Sequence, residues 1–408
     1  MTHSSISCLL SIIQNLKPDE NLFLVFLLFT AEKTSNPGNF SVIDENGVQL
    51  GKRFGFTKEA SFRALHKLRN QGLIEETTDQ GRLGRPRKMR KIIARGWESG
   101  ETKRNTFQAR LASPCLKLIG HRLKYVGHAG MNNTLFMLLL ILTIKADRAG
   151  IVAEVSHADL SNYSGIPKSQ IQRRIGQLQE LGLIAEIIPG LVEGAILGKP
   201  NSIYYLNLNH RTFENTGMGA EKIAVRGKGC ASTEVDQLVM KLGNPGINDR
   251  LASVTHHAST PPNIKMTQIS PGSWDTNAPD ALRRPAAKMY IQCAIERYAS
   301  ALLGNPNSIL SEQEWRQAQD HATEEFVRTL TGRRPHAVTT SSEYRRMFFS
   351  LCADLEELAH QLASLCLQLG NLPKRSGSTD AKNIAYRILP SGTGKRAEIR
   401  LERIKLGT

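Results

Sequence analysis

The chain has 408 residues, of which 40% are hydrophobic and 22% are charged, a balance that excludes collagen-like, mucin-like and wholly disordered classes. At roughly 100–200 residues per domain, this length predicts about two to four domains. Its 53 Lys and Arg residues exceed its 37 Asp and Glu residues, giving a net charge of +16. This excess favours a polyanionic partner, although a merely solubilising surface would have the same charge.

Cysteine usage and hydropathy exclude further classes. The six cysteines form no C-x-x-C pair and no histidines cluster at metal-ligand spacing, so we predict reduced, buried thiols and no metal site. The longest apolar runs, Leu22–Phe29 and Leu135–Leu142, are far shorter than the roughly 20 residues that span a bilayer. Met1–Gln14 lacks the positive start of a signal peptide, so we expect a cytoplasmic protein without membrane contact.

The most informative pattern is an internal repeat. Residues 40–76 align with residues 150–186 at a constant offset of 110, without a gap. The best-matched stretch is Gly55–Glu76 over Gly165–Glu186. Its identical pairs are Gly55/Gly165, Lys58/Lys168, Arg63/Arg173, Leu68/Leu178, Gly72/Gly182, Leu73/Leu183, Ile74/Ile184 and Glu76/Glu186.

Both copies have the same predicted order of elements: an apolar helix, a short strand, a short helix, a glycine turn, a longer helix and two strands. In the first copy these are Asn21–Thr30, Phe40–Ile43, Gly47–Phe54, Gly55, Lys58–Gln71, a strand from Leu73, and Met89–Ala94. In the second copy they are Thr134–Ala146, Ile151–Val155, His157–Tyr163, Gly165, Lys168–Leu181, a strand from Leu183, and Ile203–Leu208. Predicted helix boundaries include the N-caps Thr57 and Ser156, the first-turn Pro167, and the terminating Gly72 and Gly182.

This order resembles the winged helix-turn-helix family, as in bacterial regulators of the MarR and GntR kinds. The resemblance rests on the glycine turn, the capped helix ending in Gly-Leu-Ile and the following β-wing, and it covers about residues 20–95 and 130–210. It implies double-stranded DNA as the partner and a mainly α fold with small β-wings (α+β). A helical repeat unrelated to DNA is the alternative.

The expected architecture is two tandem winged helix-turn-helix domains followed by a helical C-terminal region. The predicted segments are winged helix domain 1 (15–97), a connecting segment (98–130), winged helix domain 2 (131–210), a linker (211–278), a helical bundle or dimerisation region (279–375) and a C-terminal β-hairpin (380–408).

The resemblance implies that the longer helix of each copy enters the major groove. Candidate contacts in the first copy are Thr57, Lys58, Ser61, Arg63, His66 and Lys67, with Phe62 and Arg69 also facing outward. Candidate contacts in the second copy are Lys168, Ser169, Gln172, Arg173 and Arg174. Arg can bind guanine and Gln adenine through two hydrogen bonds, whereas Lys more often meets phosphate. The alternative is that these residues form only the solvated faces of amphipathic helices.

The first wing is strongly basic, with no acid between Gln80 and Trp97. Its core, Gly84-Arg85-Pro86, resembles an AT-hook that enters the minor groove, although Leu83 stands where an AT-hook has a basic residue. Candidate contacts are Arg82, Arg85, Arg87, Lys88 and Arg90; the alternative is a basic hairpin that touches phosphates alone. The second wing, Ile187–Ser202, has only one cation, Lys199, and one acid, Glu193.

Three helices are predicted in the C-terminal half: Pro285–Leu303, Glu312–Leu330 and Ser342–Leu369. The third has apolar residues at alternating steps of four and three, which is typical of a dimerising coiled coil or of a helix packed in a bundle. The Ser391–Lys395 turn resembles a P-loop, but Leu389 and Arg396 break that pattern, so we predict a hairpin and no nucleotide. A short helix is also predicted at Thr233–Leu242.

No catalytic constellation is recognisable, so we expect no enzymatic activity and no cofactor. The leading hypothesis is a sequence-specific transcription regulator, nucleoid-associated and homodimeric on near-palindromic sites. The main alternative is a replication initiator of a plasmid or integrated element, because such initiators also have two tandem winged helices. An NTPase that uses the Ser391–Lys395 turn is a third hypothesis.

Overall fold

The computed structural model describes two compact units, one comprising Met1–Ala185, Tyr205–Met218 and Gly407–Thr408, the other Glu186–Tyr204 and Gly219–Leu406. The described residues are 16–34, 42–43, 47–72, 74–79, 87–92, 112–124, 131–191, 200–214, 216, 218–225, 285–305, 324–331, 352–353, 355–357, 359–364, 366–367, 372, 384–389 and 399–405. They are mainly helical, with small antiparallel sheets.

The repeat seen in the sequence is present as a repeat of elements. The first copy consists of α1 (Pro18–Thr34), β1 (Val42–Ile43), α2 (Gly47–Phe54), α3 (Lys58–Asn70), β2 (Ile74–Asp79) and β3 (Arg87–Ile92). After α4 (Ala112–Lys124), the second copy consists of α5 (Asn133–Lys145), β4 (Ile151–Val152), α6 (His157–Ser164), α7 (Lys168–Glu180), β5 (Ile184–Ile188) and β6 (Ile203–Leu206), followed by α8 (Arg211–Glu214). The predicted order of helices and strands is therefore confirmed in both copies.

The two copies also share one sheet topology. The strand order is β1-β3-β2 in the first copy and β4-β6-β5 in the second, so the returning strand is central in each sheet. In the first copy β3 pairs antiparallel with both β1 and β2. The short strand that precedes each helix pair thus pairs with the returning strand of the hairpin that follows the same helices. This pairing connects the beginning and the end of each copy.

The opening helix of each copy is apolar on all sides. Residues 22–27 of α1 and 135–142 of α5 are all buried, as expected for a helix that has neighbours all round. Helix α1 packs against α3 of its own copy and against α5 of the other. The Phe26 and Phe136 rings meet at this junction, with centroids 6.2 Å apart. The two copies therefore share one hydrophobic core.

The predicted N-caps Thr57 and Ser156 are confirmed, whereas Pro167, predicted in the first turn of α7, is the residue before that turn. The Thr57 hydroxyl accepts a hydrogen bond from the Ala60 amide at 3.2 Å, and Ser156 forms a capping box with Asp159. The turn glycine Gly55 has a φ of 75° and its equivalent Gly165 a φ of 72°, a region that side chains disfavour. In each copy a glycine turn thus sets the position at which the longer helix, α3 or α7, begins.

The second unit packs helices on a three-stranded sheet. Its elements are β7 (Gly219–Val225), α9 (Pro285–Gly304), α10 (Glu324–Thr331), helical residues between 352 and 367, β8 (Ile384–Leu389) and β9 (Ile399–Lys405). Helix α9 lies along β8, where the Ser300 hydroxyl accepts a hydrogen bond from the Ile388 amide at 2.9 Å. Arg387 and Glu402 form a buried ion pair at 2.7 Å between the paired strands β8 and β9.

The predicted linker, 211–278, is wrong in its first part. Residues 211–214 are helical, and β7 pairs antiparallel with β9 along its whole length, from Gly219 opposite Lys405 to Val225 opposite Ile399. The predicted C-terminal hairpin is therefore two strands of a three-stranded sheet. The prediction failed because β7 pairs with a strand far away in the sequence. The predicted helix Thr233–Leu242 lies outside the described residues.

The described part of the leucine seam of the third predicted helix packs within the chain. Leu355 and Leu362 are buried in one core with Ile295, Phe326 and Leu330. The bundle interpretation is confirmed for these two positions, and homodimerisation stays a prediction. Seam residues 351, 358, 365 and 369, residues 312–323 of the second predicted helix, and the Ser391–Lys395 turn lie outside the described residues.

Candidate nucleic-acid interface

Helices α2 and α3 of the first copy approach each other closely. A Cβ atom at Gly51 would lie 2.2 Å from the Ser61 hydroxyl oxygen, so only glycine allows this contact. The Ser61 hydroxyl in turn donates a hydrogen bond to the Thr57 carbonyl oxygen at 2.8 Å. The Phe56 amide donates to the Gly51 carbonyl oxygen at 2.8 Å and closes the turn. The N-terminal end of α3 is thus rigidly held.

Ser61 was expected to face outward, and this expectation is wrong. The residue is fully buried, and it lies on the inward face of α3 with Ala64, Leu65 and Leu68, at helical spacing. Its equivalent in the second copy is Ile171, which is also fully buried. The polar side chain is satisfied inside the turn and is not available to a ligand.

The exposed face of α3 carries most of the other predicted contacts. Thr57, Lys58, Arg63 and His66 are exposed. Lys67 is half-buried, and its ammonium lies 3.7 Å from the buried Glu20 carboxylate in the first turn of α1. Burial raises the pKa of the neighbouring Asp19, and the nearby Arg63 cation opposes that rise. Two acids of α1 therefore compensate part of the positive charge of α3.

The exposed face of α7 has no acidic opening helix among the described residues of its copy. Lys168, Ser169, Gln172 and Arg173 are exposed, and α5, the opening helix of the second copy, contains no Asp or Glu. Within the described residues, Arg173 forms no ion pair. The cations of this face are not compensated from the opening helix.

Two side chains at the edge of this face, Arg174 of α7 and His157 of α6, are not fully exposed cations. Arg174 is half-buried, and its guanidinium donates a hydrogen bond to the Gln177 side-chain oxygen at 3.0 Å. Its equivalent in the first copy, Ala64, is fully buried, so Arg174 lies at the inner edge of the face. Burial and the Lys168 cation lower the pKa of His157, which is therefore neutral at neutral pH.

The strand register of the first wing places acids opposite three of the four basic residues of β3. Arg87 stands opposite Asp79, Arg90 opposite Glu76, and Lys91 opposite Glu75, whereas Lys88 stands opposite Thr78. Opposite charges at paired positions stabilise a sheet. The predicted contacts Arg87 and Arg90 thus stand opposite acids in the register of the sheet, and Lys88 does not. The predicted contacts Arg82 and Arg85 lie outside the described residues.

The described ends of the second wing belong to the second unit. A Cβ atom at Gly190 would lie 2.4 Å from the Pro200 carbonyl oxygen, and the Gly190 amide donates to the Ser202 hydroxyl at 3.1 Å. Leu191 then packs against the hydrophobic core that contains Leu355 and Leu362. The described ends of this wing are therefore part of the protein's own packing.

Other kinds of site have little support in the described residues. They contain no group of three His, Cys, Asp or Glu side chains arranged to hold a metal ion, and none of their helices is long and apolar enough to cross a membrane. Cys115, Cys293, Cys352 and Cys366 are buried and form no disulfide, and burial raises the pKa of Cys366 to about 12, which keeps this thiol protonated.

No family model, curated protein or solved structure matches the chain.

Proposed function

We propose that the chain binds double-stranded DNA through two tandem winged helix-turn-helix domains, with α3 and α7 in the major groove. The observation that carries the proposal is the repeated turn and helix. In both copies a left-handed glycine leads into a rigidly placed helix, with an exposed Lys at its first position and an exposed Arg five residues later. These pairs are Lys58 and Arg63, and Lys168 and Arg173.

The chemistry of these faces fits a nucleic acid better than a metal or small molecule. The N-terminal part of such a helix reaches base edges, where Arg pairs with guanine and Gln with adenine. Lys at the first helical position stands where a phosphate would meet both the ammonium and the helix N-terminus. The basic first wing adds cations that favour the DNA backbone.

The biological role that we propose is transcription regulation by sequence-specific binding. A regulator must recognise one site among many, which needs several base-edge contacts held in a fixed arrangement. The common core of α1 and α5 holds the two reading helices in such an arrangement.

The test is to select bound fragments from random and genomic double-stranded DNA with the purified full chain at physiological salt. We expect one recurrent motif, located at promoters. A motif in direct repeats beside an AT-rich segment would instead favour the replication-initiator alternative. Recovery of DNA without any shared motif would remove sequence-specific binding, and with it the regulatory role.

A further inference from the structure

An aromatic residue stands in the middle of the proposed DNA-facing surface of α3. Phe62 is 47% exposed, the largest exposed fraction among the large hydrophobic residues that the structure describes. It lies one helical turn from Lys58 on one side and from His66 on the other, and both of these neighbours are exposed. An apolar ring is thus flanked by groups that attract phosphate.

The ring is held in place by the start of α2. A Cβ atom at Gly47 would lie 3.2 Å from Cε1 of the Phe62 ring, so the ring lies directly over the α2 backbone. The next residue of α2, Val48, is also apolar and is 46% exposed. A ring that is already positioned loses little side-chain entropy when a partner covers it.

We infer that Phe62 contacts the C5-methyl group of a thymine in the major groove, an inference that rests on the proposed function. The thymine methyl is the apolar group that base pairs present in that groove, and phenylalanine is among the side chains that contact it. Because a phenyl ring offers no hydrogen-bond donor or acceptor, it selects thymine by burying this methyl group. Lys58 and His66 bind the flanking phosphates and bring the ring to the base edge.

The second copy supplies a natural contrast at the equivalent position. Gln172 occupies it, is exposed, and lies between Lys168 and the open surface at Gly176. A glutamine amide binds the N6 and N7 atoms of adenine. The two copies have the same Arg at the next position, Arg63 and Arg173, and differ in the residue before it. They therefore read different bases, and the bound site is asymmetric.

The experiment uses the full chain and a double-stranded oligonucleotide recovered by selection from random DNA. Each thymine in turn is replaced by deoxyuridine, which pairs identically but lacks the methyl group, and the Kd is measured at fixed salt. For the wild type we expect one replacement to weaken binding about fourfold, the factor that corresponds to burying one methyl group. In Phe62→Ala the same replacement should change the Kd less than 1.5-fold, about the limit of the measurement.

Two controls keep the outcomes distinct. Phe62→Gln, which introduces the residue of the second copy, should bind DNA and lose the sensitivity to deoxyuridine, while Gln172→Ala should keep it. If every deoxyuridine replacement leaves the wild-type Kd unchanged, or weakens wild type and Phe62→Ala equally, the inference fails although DNA binding stands. If the wild type recovers no preferred sequence, the proposed function fails and the inference falls with it.

Discussion

The two copies have the same fold but differ in where their positive charge is compensated. In the first copy, Asp19 and Glu20 lie beside the cations of α3, and the wing is rich in basic residues. In the second copy, the opening helix α5 contains no Asp or Glu, and the described ends of the wing pack into the protein's own core.

This contrast leads us to propose different roles for the copies. The first copy binds the DNA backbone through its wing, while α3 contributes fewer free charges. The second copy reads bases through Gln172 and Arg173, as the first does through Phe62, and the described ends of its wing hold the copy in place. A repeat that diverges in this way retains apolar packing residues such as Leu68 and Leu178 and changes mainly its surface, because packing constrains core positions more strongly.

The largest effect is expected where the first copy meets the turn of the second. A Cβ atom at Gly165 would lie 2.0 Å from the Leu16 carbonyl oxygen, and the residue has a positive φ. We expect Gly165→Ala to lower the free energy of unfolding by about 3 kcal/mol or more, because both the strain and the backbone clash must be relieved. Denaturant unfolding followed by circular dichroism measures this change.

Gly72→Ala is the matched control, because Gly72 also has a positive φ but nothing within 4 Å of a Cβ atom. It should cost only about 1–2 kcal/mol, the strain alone. Equal losses in the two variants would show that Leu16 does not contact the second copy's turn.

The next effect compares the two equivalent arginines. Arg173→Ala should lower affinity for the selected site by about 1–3 kcal/mol and relax base preference at one position. Arg63→Ala should lower it less, because Asp19 already interacts with that cation. Fluorescence anisotropy titrations with a set of single-base variants of the site measure both. Equal losses on all sequences would assign these arginines to phosphate contacts only.

A third comparison separates the wings by salt dependence. Arg82→Ala combined with Arg85→Ala removes two cations of the first wing and, because we expect each to neutralise one phosphate, should reduce the slope of log K against log salt by about 1.8. Lys199→Ala in the second wing should leave the slope nearly unchanged. A slope that does not respond to the first pair of substitutions would remove the first wing from the interface.

The smallest effect concerns the acids of α1. Asp19→Asn should raise the affinity for DNA by a few tenths of a kcal/mol, about the energy of one exposed charge interaction, because Arg63 then faces DNA without the Asp19 charge beside it. Glu180→Gln at the C-terminal end of α7 is a control of equal charge change. A similar gain in both variants would reveal a general charge effect rather than local compensation. Binding titrations at low salt, carried out on both variants, distinguish these two explanations.

Much of the repeat could be predicted from the sequence because its information is local. Thr57 and Ser156 cap helices through bonds to the following turn, and Gly55 and Gly165 mark tight turns whatever lies beside them. Because the second copy repeats the pattern 110 residues later, each element was predicted from two independent stretches of sequence. The winged helix assignment itself remains a proposal.

The wrong predictions concern two kinds of residue. Some pair with residues that are distant in the sequence, and others are polar by type and yet buried. Strand β7 pairs with residues at the other end of the chain, and no local pattern reports this. Ser61 has a polar side chain that matches an exposed position, yet it is buried against Gly51. Its equivalent, the apolar Ile171, was the signal that could have identified an inward position.

The most direct test of the divided roles is a dimethyl sulfate footprint of the full chain on its selected site. The reagent methylates guanine N7 in the major groove and adenine N3 in the minor groove, so it reports both grooves at once. We predict protection of N7 in two neighbouring segments, with N3 protection beside only one of them, where the first wing lies. A single protected N7 segment, or N3 protection beside both, would contradict the proposal that the two copies bind DNA in different ways.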